Sequence, residues 1–192
     1  MAKNISKETL LKLANSIIER DNEVHIATLS DELQISQVVR FFEKQGRSFT
    51  KTMIQNYIRV GVLPPPVDKR YYTRNHLILL TLIDSLKTIY SLDEIKLLLA
   101  PVRNNPNIFE DDMIKTSDVY KNYLQMKKET LSKWKESLPY LFDRIDGLIS
   151  EDGIQEKDRN SVTAFMIALT IMAETIAMRE LANSILAKYI KG

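Results

Sequence analysis

The chain of 192 residues contains no cysteine, five glycines and six prolines. The absence of cysteine excludes disulfides, thiolate metal sites and cysteine nucleophiles, and it suits a reducing cytoplasm. The scarcity of glycine and proline, together with long apolar periodicities, indicates a nearly all-helical protein. The N-terminus lacks the apolar core of a signal peptide, because Lys7, Glu8 and Lys12 interrupt its apolar residues. We therefore expect a cytoplasmic protein.

Residue patterns that support catalysis or metal binding are also scarce. The two histidines, His25 and His76, have no carboxylate at metal-ligand spacing around them. The sequence shows no glycine-rich phosphate loop and no serine nucleophile elbow. An acidic cluster at residues 110–112 lies in a polar linker, where charged residues are common. We predict that the protein is not an enzyme and that it has no cofactor and no metal site.

One long apolar segment begins at Val162. Its uncharged run ends at Glu174, well short of the roughly 20 apolar residues that a membrane span needs. We therefore expect no membrane partner and a helix that is covered by protein. Apolar residues occur on more than one side of this helix, so it must be covered on more than one side. It is either the central helix of a monomeric bundle or, as we predict, part of the core of a homodimer. A pocket for an apolar ligand is a further alternative, since methionine adapts to irregular cavities, although methionine at helical spacing is more often plain core. The residues at issue are Phe165, Met166, Met172 and Met178.

Positive charge is concentrated in one part of the chain. The formal net charge is only +2, but residues 47–74 carry six Lys or Arg and one acid, Asp68, which gives a local net charge of +5. A local positive field attracts a polyanion such as DNA. A charge run of this size is also compatible with an ordinary solvated turn, so the interpretation depends on the surrounding motifs.

The basic segment includes a predicted helix-turn-helix, formed by helices at 31–46 and 50–60. Ser30 is the predicted cap of the first helix. The second helix has polar residues of the types that bond base edges and phosphates, Gln and Asn to adenine in particular. These residues are Thr50, Lys51, Thr52, Gln55 and Asn56, with Tyr57 and other apolar residues on the buried face.

Three consecutive prolines follow this second helix, at residues 64–66. Each proline forces the preceding residue into extended geometry and lacks an N–H donor, so the segment is a stiff extended loop. The loop leads to Lys69, Arg70, Tyr71 and Tyr72, two cations beside hydroxyl-bearing aromatic residues. We interpret this segment as a wing next to the second helix, although a surface loop with ordinary core tyrosines is the alternative, for Tyr72 above all.

Capping signals predict where the other elements begin and end. Residues 24–29 form either a short strand or an extended linker. Thr73 caps the next helix, and Ser91 with Glu94 forms a capping box for another. Beyond the polar linker at 103–112, we predict a long helix at about 113–137, a break at Pro139, a shorter helix to residue 149 and the apolar final helix.

The segment IQNYIRVGVLPPP, followed by KRYYTRNHLILLTLIDSLKTIYSLDEIKLLL, resembles the DNA-binding domain of the MerR-type transcription regulators. The pattern TKTMIxNY, PPP, KRY and HL resembles still more closely a bacterial family known only as a domain of unknown function. The resemblance covers about residues 36–100. It implies that residues 50–57 belong to a recognition helix that ends near Arg59, and that residues 69–72 belong to the wing.

The sequence departs from the MerR pattern in several places. About 35 residues precede the helix-turn-helix, and Gln55 or Asn56 stands where those regulators usually have Arg. The C-terminal half is not a simple dimerising helix. The resemblance therefore implies DNA binding but no particular effector.

Together, these features predict an all-α fold that allows a small β wing. We expect an N-terminal helix and linker at 1–30, a MerR-like winged helix-turn-helix at 31–101 and a helical dimerisation or effector domain at 110–192. The predicted function is a dimeric transcriptional regulator that binds double-stranded DNA. The alternatives are a protein-interaction module and a helical protein that binds an apolar ligand.

Overall fold

The computed structural model describes residues 4–20, Ile26 and 30–190, with the exception of the side chain of Arg20. Helices account for most of these residues, and none of them lies in an extended sheet, so the all-α prediction is confirmed. The predicted strand or linker at 24–29, which includes His25, lies outside the described residues apart from Ile26. The helices are α1 (Lys7–Arg20), α2 (Ile35–Lys44), α3 (Lys51–Arg59), α4 (Arg74–Leu86), α5 (Leu92–Leu99), α6 (Thr116–Glu151) and α7 (Glu156–Ile185).

The chain forms two compact units. The first, which we call the hairpin unit, comprises residues 1–22 and 125–184. The second, which we call the helix-turn-helix unit because it contains the helices of the predicted helix-turn-helix, comprises residues 23–124 and 185–192. A 3₁₀ turn, Ala100–Val102, follows α5, and a π-helical turn, Leu186–Ile190, follows α7. The predicted division into functional domains stays a prediction.

The core of the helix-turn-helix unit is built around α4. The sequence of this helix, RNHLILLTLIDSL, is apolar on nearly all sides, and its residues from His76 to Ile83 are all buried. A helix of this kind must be surrounded by other elements. Residues of α2, α3 and α5 that are fully buried complete the cluster, namely Val38, Phe42, Ile54 and Ile95.

Local capping explains where the helices of this unit begin. The Thr50 hydroxyl accepts a hydrogen bond from the Met53 amide at 3.1 Å, and Ser91 and Glu94 form a reciprocal capping box. Thr73 is the N-cap of α4, as predicted. The predicted cap of α2 was wrong. Gln34 rather than Ser30 is the N-cap, and its backbone amide donates a hydrogen bond to Gln37 Oε1 at 2.7 Å.

The hairpin unit has a smaller core between α1, α6 and α7. Its buried residues are Leu10, Ala14, Leu138, Ile145, Ile149 and Ile167. Polar contacts around this core join the same elements: the Ile5 amide donates to Asn160 Oδ1 at 2.6 Å, and Lys7 forms an ion pair with Asp143 at 2.6 Å. Arg159 pairs with Asp146 at 2.9 Å.

The predicted helix break at Pro139 was wrong, since α6 continues through this residue. A proline inside a helix removes one backbone hydrogen bond and crowds the preceding turn, which kinks or breaks the helix. Here, apolar residues on both sides of the proline are buried in the same core, Leu138 before it and Ile145 after it. Tertiary packing therefore offsets the local cost.

The second half of α7 is exposed on every side. All ten residues from 172 to 181 are exposed, and they include Met172, Ile176, Met178 and Leu181. By length and composition, the helical stretch Glu156–Ile190 is also one that could cross a membrane. Core helices of soluble proteins have the same property.

Candidate nucleic-acid interface

Helix α3 follows α2 through a short turn and has two distinct faces. Gly46, in the left-handed region at φ 70°, ends the first helix, and the Arg47 amide donates back to the Phe42 carbonyl at 2.9 Å. Ile54 and Tyr57 bury one face of α3 in the core. The opposite face is exposed and consists of Lys51, Thr52, Gln55 and Arg59. The turn therefore holds a polar, positively charged helix face toward solvent.

The C-terminus of α3 is fixed by a Schellman motif. The Val62 amide donates to the Tyr57 carbonyl at 3.0 Å, and the Gly61 amide donates to the Ile58 carbonyl at 3.0 Å. Gly61 has φ 78°, a conformation that favours glycine. One turn earlier, Asn56 Oδ1 accepts a hydrogen bond from Arg59 at 2.7 Å. This contact orients both side chains at the end of the exposed face.

After the prolines, the chain makes a tight antiparallel turn. Val67 and Tyr71 exchange both backbone hydrogen bonds at 2.8 Å, and Asp68 and Lys69 between them have positive φ values of 51° and 59°. Tyr72 pairs in turn with Leu33 through backbone bonds of 2.8 and 3.0 Å. We refer to residues 67–71 as the tip hairpin. It holds the exposed side chains of Lys69 and Arg70 at the end of the loop.

His76 joins the base of the tip hairpin to α4. Its Nδ1 accepts a hydrogen bond from the Thr73 amide at 3.0 Å, so the proton of the neutral ring lies on Nε2, which is 3.2 Å from the Pro65 carbonyl. The ring is 1% exposed, and this burial lowers the pKa of His76 to about 4. A neutral imidazole therefore caps α4 and holds the proline segment at the same time.

The polar loop at 103–112 contacts the other side of His76. The Phe109 ring meets the imidazole edge to face, with 4.9 Å between the ring centres. The Arg103 guanidinium lies 4.9 Å from the centre of the Phe109 ring. Arg103 and Asp112 form a buried ion pair at 3.4 Å, and the burial raises the pKa of Asp112. Sequence reasoning missed this packing, because a run of Asn, Pro and Asp has the composition of a solvated linker. The adjacent Ile108 and Phe109 were the only large apolar residues in this run.

Two cations of the basic segment are neutralised by acids outside it. Arg47 lies 2.9 Å from Asp84, and the Arg74 guanidinium donates hydrogen bonds to both carboxylate oxygens of Asp31, at 3.2 Å to Oδ1 and 2.6 Å to Oδ2. The hydrogen bonds from Arg74 lower the pKa of Asp31. Neither partner lies within residues 47–74, so the local net charge overstates the uncompensated charge. In the part of the chain that the structure describes, no carboxylate forms an ion pair with the remaining cations, Lys51, Arg59, Lys69 and Arg70.

The aromatic residues assigned to the interface occupy different environments. Tyr57 and Tyr72 are buried, and burial raises the pKa of both phenols. Tyr71 is half-buried beside Arg70, whose guanidinium lies 5.3 Å from the ring centre. Tyr57 and Tyr72 therefore support the surface through packing, while Tyr71 borders it.

The residues predicted to form a dimer core or an apolar pocket also differ in their exposure to solvent. Phe165, Met172 and Met178 are exposed, whereas Met166 is half-buried and packs against the core of the hairpin unit. Among the described residues, no group of three His, Asp or Glu is placed to hold a metal ion.

A family model described as "Domain of unknown function (DUF1836)" matches residues 8–123. Neither the curated proteins nor the solved structures contain a match to the chain. The family match includes α1 through α5, and with them the exposed face of α3, the tip hairpin and His76. Since the match covers more than half of the 192 residues, the chain belongs to the DUF1836 family.

Proposed function

We propose that this protein is a cytoplasmic transcriptional regulator that binds double-stranded DNA through α3 and the tip hairpin, and that it acts as a dimer. The observation that carries the proposal is the set of four cations without ion pairs, Lys51, Arg59, Lys69 and Arg70. All four are exposed, and they lie on the two elements that a winged helix-turn-helix uses for DNA. The pairing of Leu33 with Tyr72 and of Val67 with Tyr71 supports the winged interpretation.

The side chains of α3 divide into two roles. Lys51, near the N-terminus of the helix, is placed to neutralise a phosphate, and the positive end of the helix dipole adds to this effect. Gln55 is exposed at the centre of the face and is the main candidate for reading a base edge. Asn56 has its Oδ1 bonded to Arg59, so its amide nitrogen remains as a donor.

The tip hairpin supplies the second contact region. Lys69 and Arg70 extend from a turn whose base is fixed by backbone bonds and by His76. A fixed base lowers the entropy lost when these two side chains bind phosphates. A twofold dimer would recognise a pseudo-palindromic site whose half-sites are separated by about 34 Å or a multiple of this distance.

The salt dependence of DNA binding tests this proposal. Purified protein is first used to capture fragments of bacterial genomic DNA at two salt concentrations, and the captured fragment then serves for titrations. We expect the double variant Lys69→Ala/Arg70→Ala to reduce the magnitude of the slope of log K against log salt by about 1.8, which is 0.9 for each lost phosphate contact.

The matched control is Lys133→Ala/Lys157→Ala, which removes two exposed cations from the hairpin unit and changes the net charge equally. We expect its slope to equal that of the wild-type protein. An unchanged slope in the folded Lys69/Arg70 variant would remove the tip hairpin from the interface. Absence of DNA capture by the folded wild-type protein at low salt would contradict the proposed function and favour an acidic protein surface as the partner.

A further inference from the structure

Helix α7 presents a regular apolar seam on the side opposite its packed face. The packed face carries Thr163 and Ile167, both buried in the hairpin unit. The other side carries Phe165, Leu169, Met172 and Ile176, whose exposed fractions are 61, 52, 55 and 54%. These four residues are separated by four, three and four positions, which is the a/d spacing of a coiled coil. We call them the α7 seam.

Two of the positions beside the seam are occupied by alanine. Ala168 and Ala173 lie directly next to it and are exposed. Residues at such flanking positions are often charged in coiled coils and then hold the helices apart or set the pairing. Alanine at these positions instead allows a second helix to come close and to bury the seam between the two backbones.

A 4-3-4 spacing has the same order from either end of the helix. In an antiparallel pair of identical helices, Phe165 is therefore level with the partner's Ile176, and Leu169 is level with the partner's Met172. Two identical surfaces then cover each other around a twofold axis, which is the isologous arrangement of most homodimers. The seam is self-complementary in this orientation.

Charged residues at the ends of the seam select the antiparallel orientation. Asp158 lies seven positions before Phe165, and Arg179 lies seven positions after Met172, so both continue the same heptad position. Both residues are exposed. In the described part of the chain, neither makes an ion pair with another residue. An antiparallel pair places Arg179 at the same end as the partner's Asp158. A parallel pair would place like charges together, which is unfavourable.

The size of the uncovered surface also fits a second copy. The four half-exposed side chains of the seam, at roughly 80 Å² each, amount to on the order of 300 Å² of apolar surface per copy. Two copies would bury on the order of 600 Å² of apolar surface. Since a little over half of a typical interface is apolar, this corresponds to a total on the order of 1,000 Å², the lower bound of a specific interface. Met178, Leu181 and Ile185 are also exposed, but they lie on the same side of the helix as Ile167 and do not belong to the seam.

We propose that the α7 seam is the contact surface of a symmetric dimer, in which it packs antiparallel against the same seam of a second copy of this chain. The dimer gives the proposed DNA-binding protein its twofold symmetry, and only this consequence rests on the proposed function. The interface itself is independent of DNA.

The mass of the full-length protein in solution, measured without DNA by light scattering or sedimentation, tests the proposal. We expect the wild-type protein to be a dimer at micromolar concentration. Ile176→Glu should shift it to monomer, raising the dissociation constant at least 100-fold, because two carboxylates would be buried next to the partner's seam. The matched control is Ile89→Glu, since Ile89 is also 54% exposed but lies in the helix-turn-helix unit. This variant should remain a dimer.

Exchange of the terminal charges tests the orientation. Arg179→Glu should weaken the dimer several-fold, and the double variant Asp158→Arg/Arg179→Glu should restore it, because the opposite charges meet again at each end. A wild-type monomer at high micromolar concentration, or an Ile176→Glu variant that remains a dimer, would overturn the proposal. Flotation of the wild-type protein with phosphatidylcholine vesicles, lost in Ile176→Glu, would instead assign the seam to a membrane.

DNA measurements keep the two proposals separate. Suppose that Ile176→Glu is a folded monomer that still binds a DNA half-site, and that its salt slope is half that of the wild-type dimer. The dimer interface and the DNA interface are then both supported. If the wild-type protein is a dimer that captures no DNA, the interface stands and the proposed function fails.

Discussion

The two units of this chain differ in how completely they bury their apolar residues. In the helix-turn-helix unit, apolar side chains from four helices are fully buried in one core, and the cations of α3 and the tip hairpin are exposed. In the hairpin unit, the core is smaller, and the four apolar side chains of the α7 seam are exposed on the side opposite the packed face. A row of exposed apolar side chains is the kind of surface that protein partners usually cover.

This difference supports the places that we propose for the two partners. An exposed charge costs little in water and attracts a polyanion over a distance of about one Debye length, near 10 Å. Exposure of an apolar seam to water is unfavourable, and its burial against a partner is favourable. This attraction acts only when the two surfaces are in contact. The exposed cations of the helix-turn-helix unit therefore support the proposed contact with DNA, and the α7 seam of the hairpin unit supports the proposed contact with another copy of the chain.

The same Leu→Ala substitution in the two units should have different effects on stability. Leu80 on α4 is 0% exposed, whereas Leu169 on α7 is 52% exposed. We expect Leu80→Ala to lower the free energy of unfolding by about 2–5 kcal/mol, because it removes buried methyl groups and leaves a cavity. This loss should not depend on protein concentration. Denaturant unfolding followed by circular dichroism measures it.

Leu169→Ala should behave differently in the same experiment. At low protein concentration its cost should be within about 0.5 kcal/mol, as for most surface substitutions. At high concentration the cost should increase, since the wild-type protein gains stability from the dimer by mass action and the variant gains less. Equal, concentration-independent losses for both substitutions would contradict the comparison between the units.

The pH dependence of stability should be concentrated in the helix-turn-helix unit, at His76. Its pKa falls from 6.5 in the unfolded chain to about 4 in the folded protein, so the folded state favours the neutral ring. This contribution is fully present above pH 6.5 and is lost as the pH falls toward 4. A shift of this size corresponds to about 3 kcal/mol, at 1.36 kcal/mol per pKa unit.

Unfolding free energies of the wild-type protein and of His76→Gln between pH 7.5 and 4 measure this effect. Carboxylates titrate in both proteins, so the difference between the two curves isolates the histidine. We expect the difference to narrow as the pH falls, because the wild-type protein loses the contribution of His76 and the variant has none to lose. A constant difference over this range would show that the ring is solvated in the folded protein.

Much of the helix-turn-helix unit could be predicted from the sequence. Thr50, Thr73, Ser91 and Glu94 give local capping signals, and the confirmed helix boundaries follow from them. The interruption of helix at residues 64–66 follows from steric rules that involve only adjacent residues. Signals of this kind are readable because the interacting groups are within a few positions of each other in the chain.

The errors and omissions involve contacts between distant residues. Pro139 predicts a break on local grounds, but packing of Leu138 and Ile145 keeps α6 continuous. The charge count of the basic segment could not reveal that Asp84 and Asp31 pair with Arg47 and Arg74. For the same reason, the sequence did not show that Phe109 packs on His76, 33 positions earlier. Only the fold places these groups next to each other.

A smaller effect than those of Leu80 and His76 is expected at Thr50, where a folding role and the proposed DNA-binding role coincide. The Thr50 hydroxyl accepts a hydrogen bond from the Met53 amide and caps α3, and its proton is available to donate to a phosphate. Thr50→Ala should lower the free energy of unfolding by about 1 kcal/mol through loss of the cap. Thr50→Ser should preserve both stability and DNA affinity.

Thr50→Asp separates the two roles. Aspartate is as good an N-cap as serine, and its charge is favourable at the N-terminus of a helix, so stability should equal or exceed that of the wild-type protein. The same charge would face the phosphates, so DNA affinity should fall below that of Thr50→Ala. Stability in the order Asp, Ser, Ala and affinity in the order Ser, Ala, Asp would show that the start of α3 faces DNA. If affinity instead follows stability across the three variants, Thr50 acts only by capping, and the contact surface begins farther along the helix.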